Sequence, residues 1–319
     1  MSASGGGKAI VAALLANVGI ALAKFVAWLL SGSASMLAEA IHSVADSGNQ
    51  LLLLLGGRRA KRDADSEHPF GYGRERYVYA FVVAIILFSV GGLFSIYEGI
   101  DKLTHPHELE NVWVPLTVLV IAIVLESFSL RTAVRESNHV REKGTSWVAF
   151  VRRAKAPELP VVLLEDLAAL TGLVFALFGV GMAAITHNPV FDAIGTLMIG
   201  ALLILVAIVL GVETKSLLVG EGATDADHDR IVAAIEGSPG IESLIHMKTL
   251  YLGPDELLVA AKVGFASDKQ LGVVAADIDD IESRIRAAVP AARVVYIEPD
   301  IRRTPSSLPT SDIIVTSID

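Results

Sequence analysis

Runs of apolar residues about as long as a bilayer is thick dominate the chain up to residue 215, and they leave few folds open. Six stretches qualify: 9–30, 35–56, 77–99, 113–133, 160–184 and 192–213. The second is the most polar, with Glu39, His42, Asp46, Asn49 and Gln50, and the Leu51 to Leu55 run compensates. The segments between them alternate in charge. One long loop carries Arg58, Arg59, Lys61, Arg62, Arg74 and Arg76, and another carries Arg135, Arg141, Lys143, Arg152, Arg153 and Lys155. Segments 31–34 and 185–191 have no Lys or Arg, and 100–112 has only Lys102. The positive-inside rule then predicts a polytopic α-helical membrane protein of six transmembrane helices, with both basic loops and both termini cytoplasmic. The leading MSASGGGK has neither a charged leader nor a cleavage site, so the first helix is expected to be retained rather than removed as a signal peptide.

Beyond residue 215 the composition changes. Residues 221–319 hold 17 acidic and 9 basic side chains, a net of -8 out of the -9 of the whole chain. The pattern predicts a helix over 225–236 capped by Thr224 or Asp225, strands over 241–252 and 257–265, a helix over 268–288 and a strand from Arg293 to Glu298. This is a small α/β domain of αββαβ order. The expected organisation is a transmembrane domain over 1–215, a cytoplasmic dimerisation or regulatory domain over 216–303, and a flexible tail over 304–319.

A mean hydropathy of +0.57 argues against a soluble bundle, and the acidic balance argues against nucleic acid as a partner. With no cysteine, any metal chemistry falls to His, Asp, Glu and weaker oxygen ligands. No serine elbow, phosphate loop or HExxH motif appears, so no enzyme is expected.

Ionisable residues at membrane depth carry the functional signal, because each costs several kcal/mol (roughly 3) unless paired, hydrated or liganded. His42 and Asp46 stand at i and i+4 on one helix face, a nitrogen and an oxygen donor suited to a borderline divalent ion such as zinc. The alternative is an internal pair that only fastens helices. In the fifth stretch Glu165 and Asp166 are adjacent and point about 100° apart on an undistorted helix. Residues 146–159 are a candidate upstream extension of that helix. Glu126, within the fourth stretch, needs a proton, a cation or a basic partner. Asn49 is a candidate second-layer group, and Asn17 is equally suited to lining a path or bonding between helices. Lys24 is expected to snorkel to an interface, and Asp192 to cap the sixth helix.

Taken together, His42-x-x-x-Asp46, the HPFGYG loop, six spans and the acidic αββαβ tail resemble the cation diffusion facilitator family over nearly the whole chain. LLEDLAALTG and KTLYLGPDELLVAAKV are similar to its zinc transporter 9-like branch. The resemblance implies a homodimer that exports divalent metal, zinc above all, from the cytoplasm in exchange for protons, with no cofactor. It implies metal ligands His42, Asp46 and Asp166. Val162 replaces the family's span-five histidine, which leaves Glu126 or Glu165 to complete the site and opens it to manganese or iron. The loop's metal pattern is reduced to Asp65-x-x-His68-x-x-x-Tyr72. In the tail His246 matches, while Tyr296 replaces a histidine and Glu298 falls near a carboxylate position, so a structural tail without stable zinc is expected. A passive carrier or channel and a non-transporting membrane interaction protein are the rival readings. The expected partners are divalent metal, protons and a lipid bilayer, and a bacterial plasma membrane is the simplest location.

Overall fold

The structure is a computed structural model. It describes residues 4–106, 109, 111–141 and 144–301, with side chains described from Asn17 onward; the tail expected over 304–319 lies outside them. All six apolar stretches lie in helical segments: α1 (Ser4–Ser31), α2 (Ala34–Arg59), α3 (Glu75–Ile86) continuing through a π-helical segment (Leu87–Leu93) into α4 (Phe94–Thr104), α5 (Trp113–Val140), α7 (Glu158–Thr186) and α8 (Val190–Val219). Four have the length and apolar composition to cross a membrane: Glu75–Thr104, Trp113–Val140, Glu158–Thr186 and Val190–Val219. In α1 a shorter apolar stretch, Asn17–Ser31, has the same character.

The outward faces of these helices are apolar, and their interior joins an apolar core that includes Met36, Leu87, Leu119, Leu173 and Leu203 to a set of buried polar groups. Lys24, Glu39, His42, Asn49, Glu165 and Asp166 are buried, while Val120, Ile121, Val124, Phe128, Leu205, Ile208 and Val212 are exposed. Lipid in place of water accounts for that exposure, since exposed apolar side chains cost nothing against acyl chains.

Glycines set how closely the helices approach. A Cβ on Gly179 would stand 2.9 Å from Phe191 O and 3.2 Å from Gly195 Cα, so α7 and α8 meet backbone to backbone. Between α1 and α2 the chain reverses at Gly32, whose φ of +65° suits a residue without Cβ. Ser33 then caps α2, its side chain accepting from Met36 N.

Two local features differ from the expectation. The upstream extension of the fifth helix is a separate short helix, α6 (Trp147–Arg153), and α7 starts afresh at Glu158. Pro157 and Pro160 explain this: each lacks an N–H and fits only the first turn of a new helix. Asp192 caps α2 rather than its own helix. Its Oδ2 accepts from Ala34 N at 2.7 Å, and its Oδ1 accepts from Ser33 Oγ at 2.8 Å and Ser35 N at 3.3 Å.

The chain divides into two compact units at Glu221/Gly222, with Leu252–Asp255 grouped with the first. The second unit contains α9 (Asp225–Glu236), β1 (Ser243–Gly253), β2 (Glu256–Phe265), α10 (Leu271–Ala288) and β3 (Val294–Ile301). The strand order is β1-β2-β3, and β2 runs parallel to β3 with Leu258 opposite Val294. Alternate β2 residues Leu257, Val259, Ala261 and Val263 join Ile231, Ile235, Ile281 and Ile285 in one core, so both helices cover a single face of the sheet. Thr224 is the N-cap of α9, accepting from Asp227 N.

Candidate metal centre

The side chains singled out on α2, α5 and α7 converge. Asp46, Glu126, Glu165 and Asp166 line one polar cavity together with Asn17, Ser43, Gln50 and Ser129. His42 stands behind Asp46, its Nε2 3.4 Å from Asp46 Oδ2. Among the described residues neither ring nitrogen of His42, nor Asp46 Oδ1, has a hydrogen-bond partner, although all three atoms are buried. Orphaned polar atoms at this depth are rare in a folded protein, and a bound ion or an ordered water is the usual reason for them. Gly91 of the π segment passes beside the imidazole, where a Cβ would stand 3.9 Å from Nδ1. Among the described residues no three His, Asp or Glu side chains already surround one point at metal-binding distance.

The two adjacent carboxylates of α7 both line this cavity. They are held differently: Glu165 Oε1 accepts from Asn49 Nδ2 at 2.8 Å, and Asp166 Oδ2 accepts from Ser129 Oγ at 2.9 Å. Asn49 therefore supports a cavity carboxylate. Asn17 does both things expected of it, lining the cavity and donating to Gln50 Oε1 at 3.2 Å. Ser129 was not singled out in the sequence, yet its position one turn after Glu126 places it on the same face.

Lys24 departs most from its expected position. It is buried rather than snorkelling, and its Nζ lies 2.9 Å from Glu39 Oε2 and 2.7 Å from Ser43 Oγ. The signal for this pairing was Glu39 itself, an unmatched carboxylate one turn before His42.

The two reduced accessory patterns hold hydrogen bonds and ion pairs instead. In the loop, Tyr72 Oη donates to Asp65 Oδ2 at 2.5 Å, while Oδ1 accepts from Glu67 N and His68 N. Arg62 covers the Tyr72 ring at 4.1 Å. The bond from Tyr72, and then that from His68 N, holds the Asp65 carboxyl below its usual range, and the same bond raises the Tyr72 phenol. The clasp is thus intact above the ordinary Asp range. It is lost as pH falls through the lowered Asp65 value, and again as pH rises through the raised Tyr72 value. Tyr72→Phe and His68→Ala are expected to leave the number of zinc ions bound per chain unchanged in equilibrium dialysis; loss of one ion with either variant would restore a loop metal site.

In the second unit, His246, Lys248, Lys262, Tyr296 and Glu298 share the sheet face opposite its helices. Lys262 Nζ lies 2.9 Å from Glu298 and 3.0 Å from Asp300. A 221–319 fragment is expected to keep its circular dichroism and melting temperature in chelator. Unfolding on chelation with recovery on added zinc would contradict this.

The residues of the cavity fall within a match to the cation efflux transmembrane domain, which spans residues 10–219. The chain belongs to the cation efflux family. It is 33% identical over 262 residues to the proton-coupled zinc antiporter SLC30A9, mitochondrial, of Homo sapiens, covering 82% of this chain and 46% of that protein. It is 30% identical over 259 residues to metal tolerance protein C4 of Arabidopsis thaliana, covering 81% and 57%. With the cation-efflux pump FieF of Klebsiella pneumoniae it shares 25% identity over 303 residues, 94% of this chain and 93% of the pump. The chain spans about half the length of the first two of these relatives.

Proposed function

We propose that this cation efflux family member carries divalent metal ions, zinc foremost, across a bilayer in exchange for protons, using His42, Asp46 and Asp166 as ligands and Glu126 or Glu165 to complete the set. The observation that carries this reading is buried His42 beside half-buried Asp46, with three buried polar atoms that lack a partner among the described residues, next to a cavity walled by carboxylates from α5 and α7. An imidazole nitrogen with carboxylate oxygens suits zinc, and the preponderance of oxygen also admits manganese or iron. Metal and protons compete for the same lone pairs. Lone pairs on the imidazole and the carboxylates that the metal gives up can take protons as it leaves, which couples the two flows without a covalent step. Small movements of the helices around the cavity would expose it to either side in turn.

In the same reading the chain crosses the membrane six times with cytoplasmic termini, pairs as a homodimer, and sits in a bacterial plasma membrane. Similarity to a proton-coupled zinc antiporter supports both substrate and coupling, and similarity along nearly the whole chain to a pump from a bacterium supports a bacterial membrane. Flux into sealed proteoliposomes, with zinc, manganese and iron supplied separately, tests the reading. Saturable zinc uptake driven by an imposed proton gradient is expected. Uptake of manganese or iron in preference to zinc would reassign the substrate, and absence of uptake of all three would overturn transport.

A further inference from the structure

The buried Lys24–Glu39 pair is not needed to complete a ligand set. As a fastener it is poorly made. Among the described residues Glu39 Oε1 is buried without a hydrogen-bond partner, and the Lys24 ammonium, with three donors, makes two hydrogen bonds. Two apolar side chains would join α1 to α2 at least as well, since a buried ion pair must first repay the removal of both charges from water.

Its position is more informative than its strength. Ser43 accepts from Lys24 and is also a wall of the cavity, and Asp46 lies one turn further along α2. The charge of Lys24 consequently falls on His42, Asp46 and Glu126. Asp46, Glu126, Glu165 and Asp166 contribute four carboxylates to the wall, with Glu39 beside it, and Lys24 is the one lysine or arginine among the described residues of this cluster. Five carboxylates against one ammonium leave an excess of negative charge around any divalent ion in the cavity.

We propose that Lys24 sets the metal affinity of this cavity: a fixed positive charge at its wall, tempered by Glu39, offsets the excess of carboxylates and keeps a bound divalent ion releasable. This rests on the reading of the cavity as the transport site. It has a signature that a fastener lacks, because the two partners act with opposite sign. Removing Lys24 makes the cavity more negative and tightens metal binding, whereas neutralising Glu39 leaves the ammonium unopposed and weakens it. Removing both restores the original sum of charges.

The test is calorimetric titration of Zn²⁺ into the purified full chain, with proteoliposome flux on the same variants. Lys24→Met is expected to lower Kd by about ten-fold or more and Glu39→Gln to raise it by about ten-fold or more, because even in a water-like dielectric a unit charge roughly 6 Å from a divalent ion changes its binding by about that factor. The double variant returns Kd to within about three-fold of the parent, for the same reason. Lys24→Arg keeps the charge and the parent affinity. In flux, Lys24→Met should lower both the half-saturating zinc concentration and the maximal rate. Weaker or unchanged binding by a folded Lys24→Met variant overturns the proposal. If that variant does not fold, unchanged affinity in Glu39→Gln overturns it instead. Asp46→Asn separates the two levels. Parent-like zinc binding in Asp46→Asn removes the transport-site reading beneath the proposal, while lost binding there alongside an unmoved Lys24→Met affinity removes the Lys24 assignment alone.

Discussion

Asp46→Asn and Asp166→Asn should each abolish saturable zinc flux while leaving the helices assembled. Asparagine keeps the volume and a hydrogen-bonding oxygen, so Ser129 retains an acceptor at position 166. What disappears is the charge a divalent ion needs. A loss in zinc affinity greater than about 100-fold is expected, beyond the roughly 10–100-fold cost of removing a group that only orients a ligand. Glu126→Gln and Glu165→Gln then identify the fourth ligand, because that residue alone should weaken equilibrium binding as severely as Asp166→Asn. Glu126 is expected to be that residue. Glu165 already has one oxygen engaged by Asn49, whereas Glu126 faces the cavity with no side-chain hydrogen bond among the described residues. A carboxylate used solely for proton transfer would lose proton-driven exchange and keep its metal affinity. Titration calorimetry on the four variants, paired with flux, distinguishes these outcomes.

Asp192→Ala should produce the largest loss of stability among single substitutions away from the cavity. The Asp192 carboxylate is fully buried and accepts from Ser33 Oγ, Ala34 N and Ser35 N at the start of α2. The first N–H groups of a helix have no partner within it, and here neither water nor lipid can replace the carboxylate. Each buried donor left unpaired costs about 1–3 kcal/mol, so a total of roughly 3 kcal/mol or more is expected. Asp192→Asn keeps one acceptor and should cost less. Thermal unfolding of the detergent-solubilised chain, followed by size-exclusion recovery, measures both. An Asp192→Ala variant that melts with the parent would show that α2 does not depend on this cap.

How much of this was legible in the sequence depended on the range of the interaction. Helix starts that rest on neighbouring residues were readable: Thr224 before Asp225 marks α9, and Gly237 follows its last residue. The period-two pattern of β2 was readable for the same reason. The π segment within the third apolar stretch was not, because its register depends on Gly91 and Gly92 fitting against Leu203 and Ile204 of α8. Nor was the role of Asp192, whose partners lie more than 150 residues earlier in the chain. At the cavity, i and i+4 spacing brought out His42 and Asp46, but helix geometry alone separated Glu165 from Asp166. The cavity takes both in its lining, a property of four helices packed together rather than of one. Lys24 was misjudged because snorkelling is the default for a lysine near a helix end, and only the fold shows Glu39 and Ser43 within its reach.

The central claim, that the His42 and Asp46 pair belongs to the pathway of the metal, is tested most directly by zinc flux through proteoliposomes containing the His42→Ala plus Asp46→Asn double variant, with an internal pH indicator recording proton movement. The account expects neither saturable zinc uptake nor zinc-dependent proton counterflow in the double variant, and both in the parent. Full uptake and full counterflow in the double variant would contradict the assignment of the site, even with the helical architecture intact.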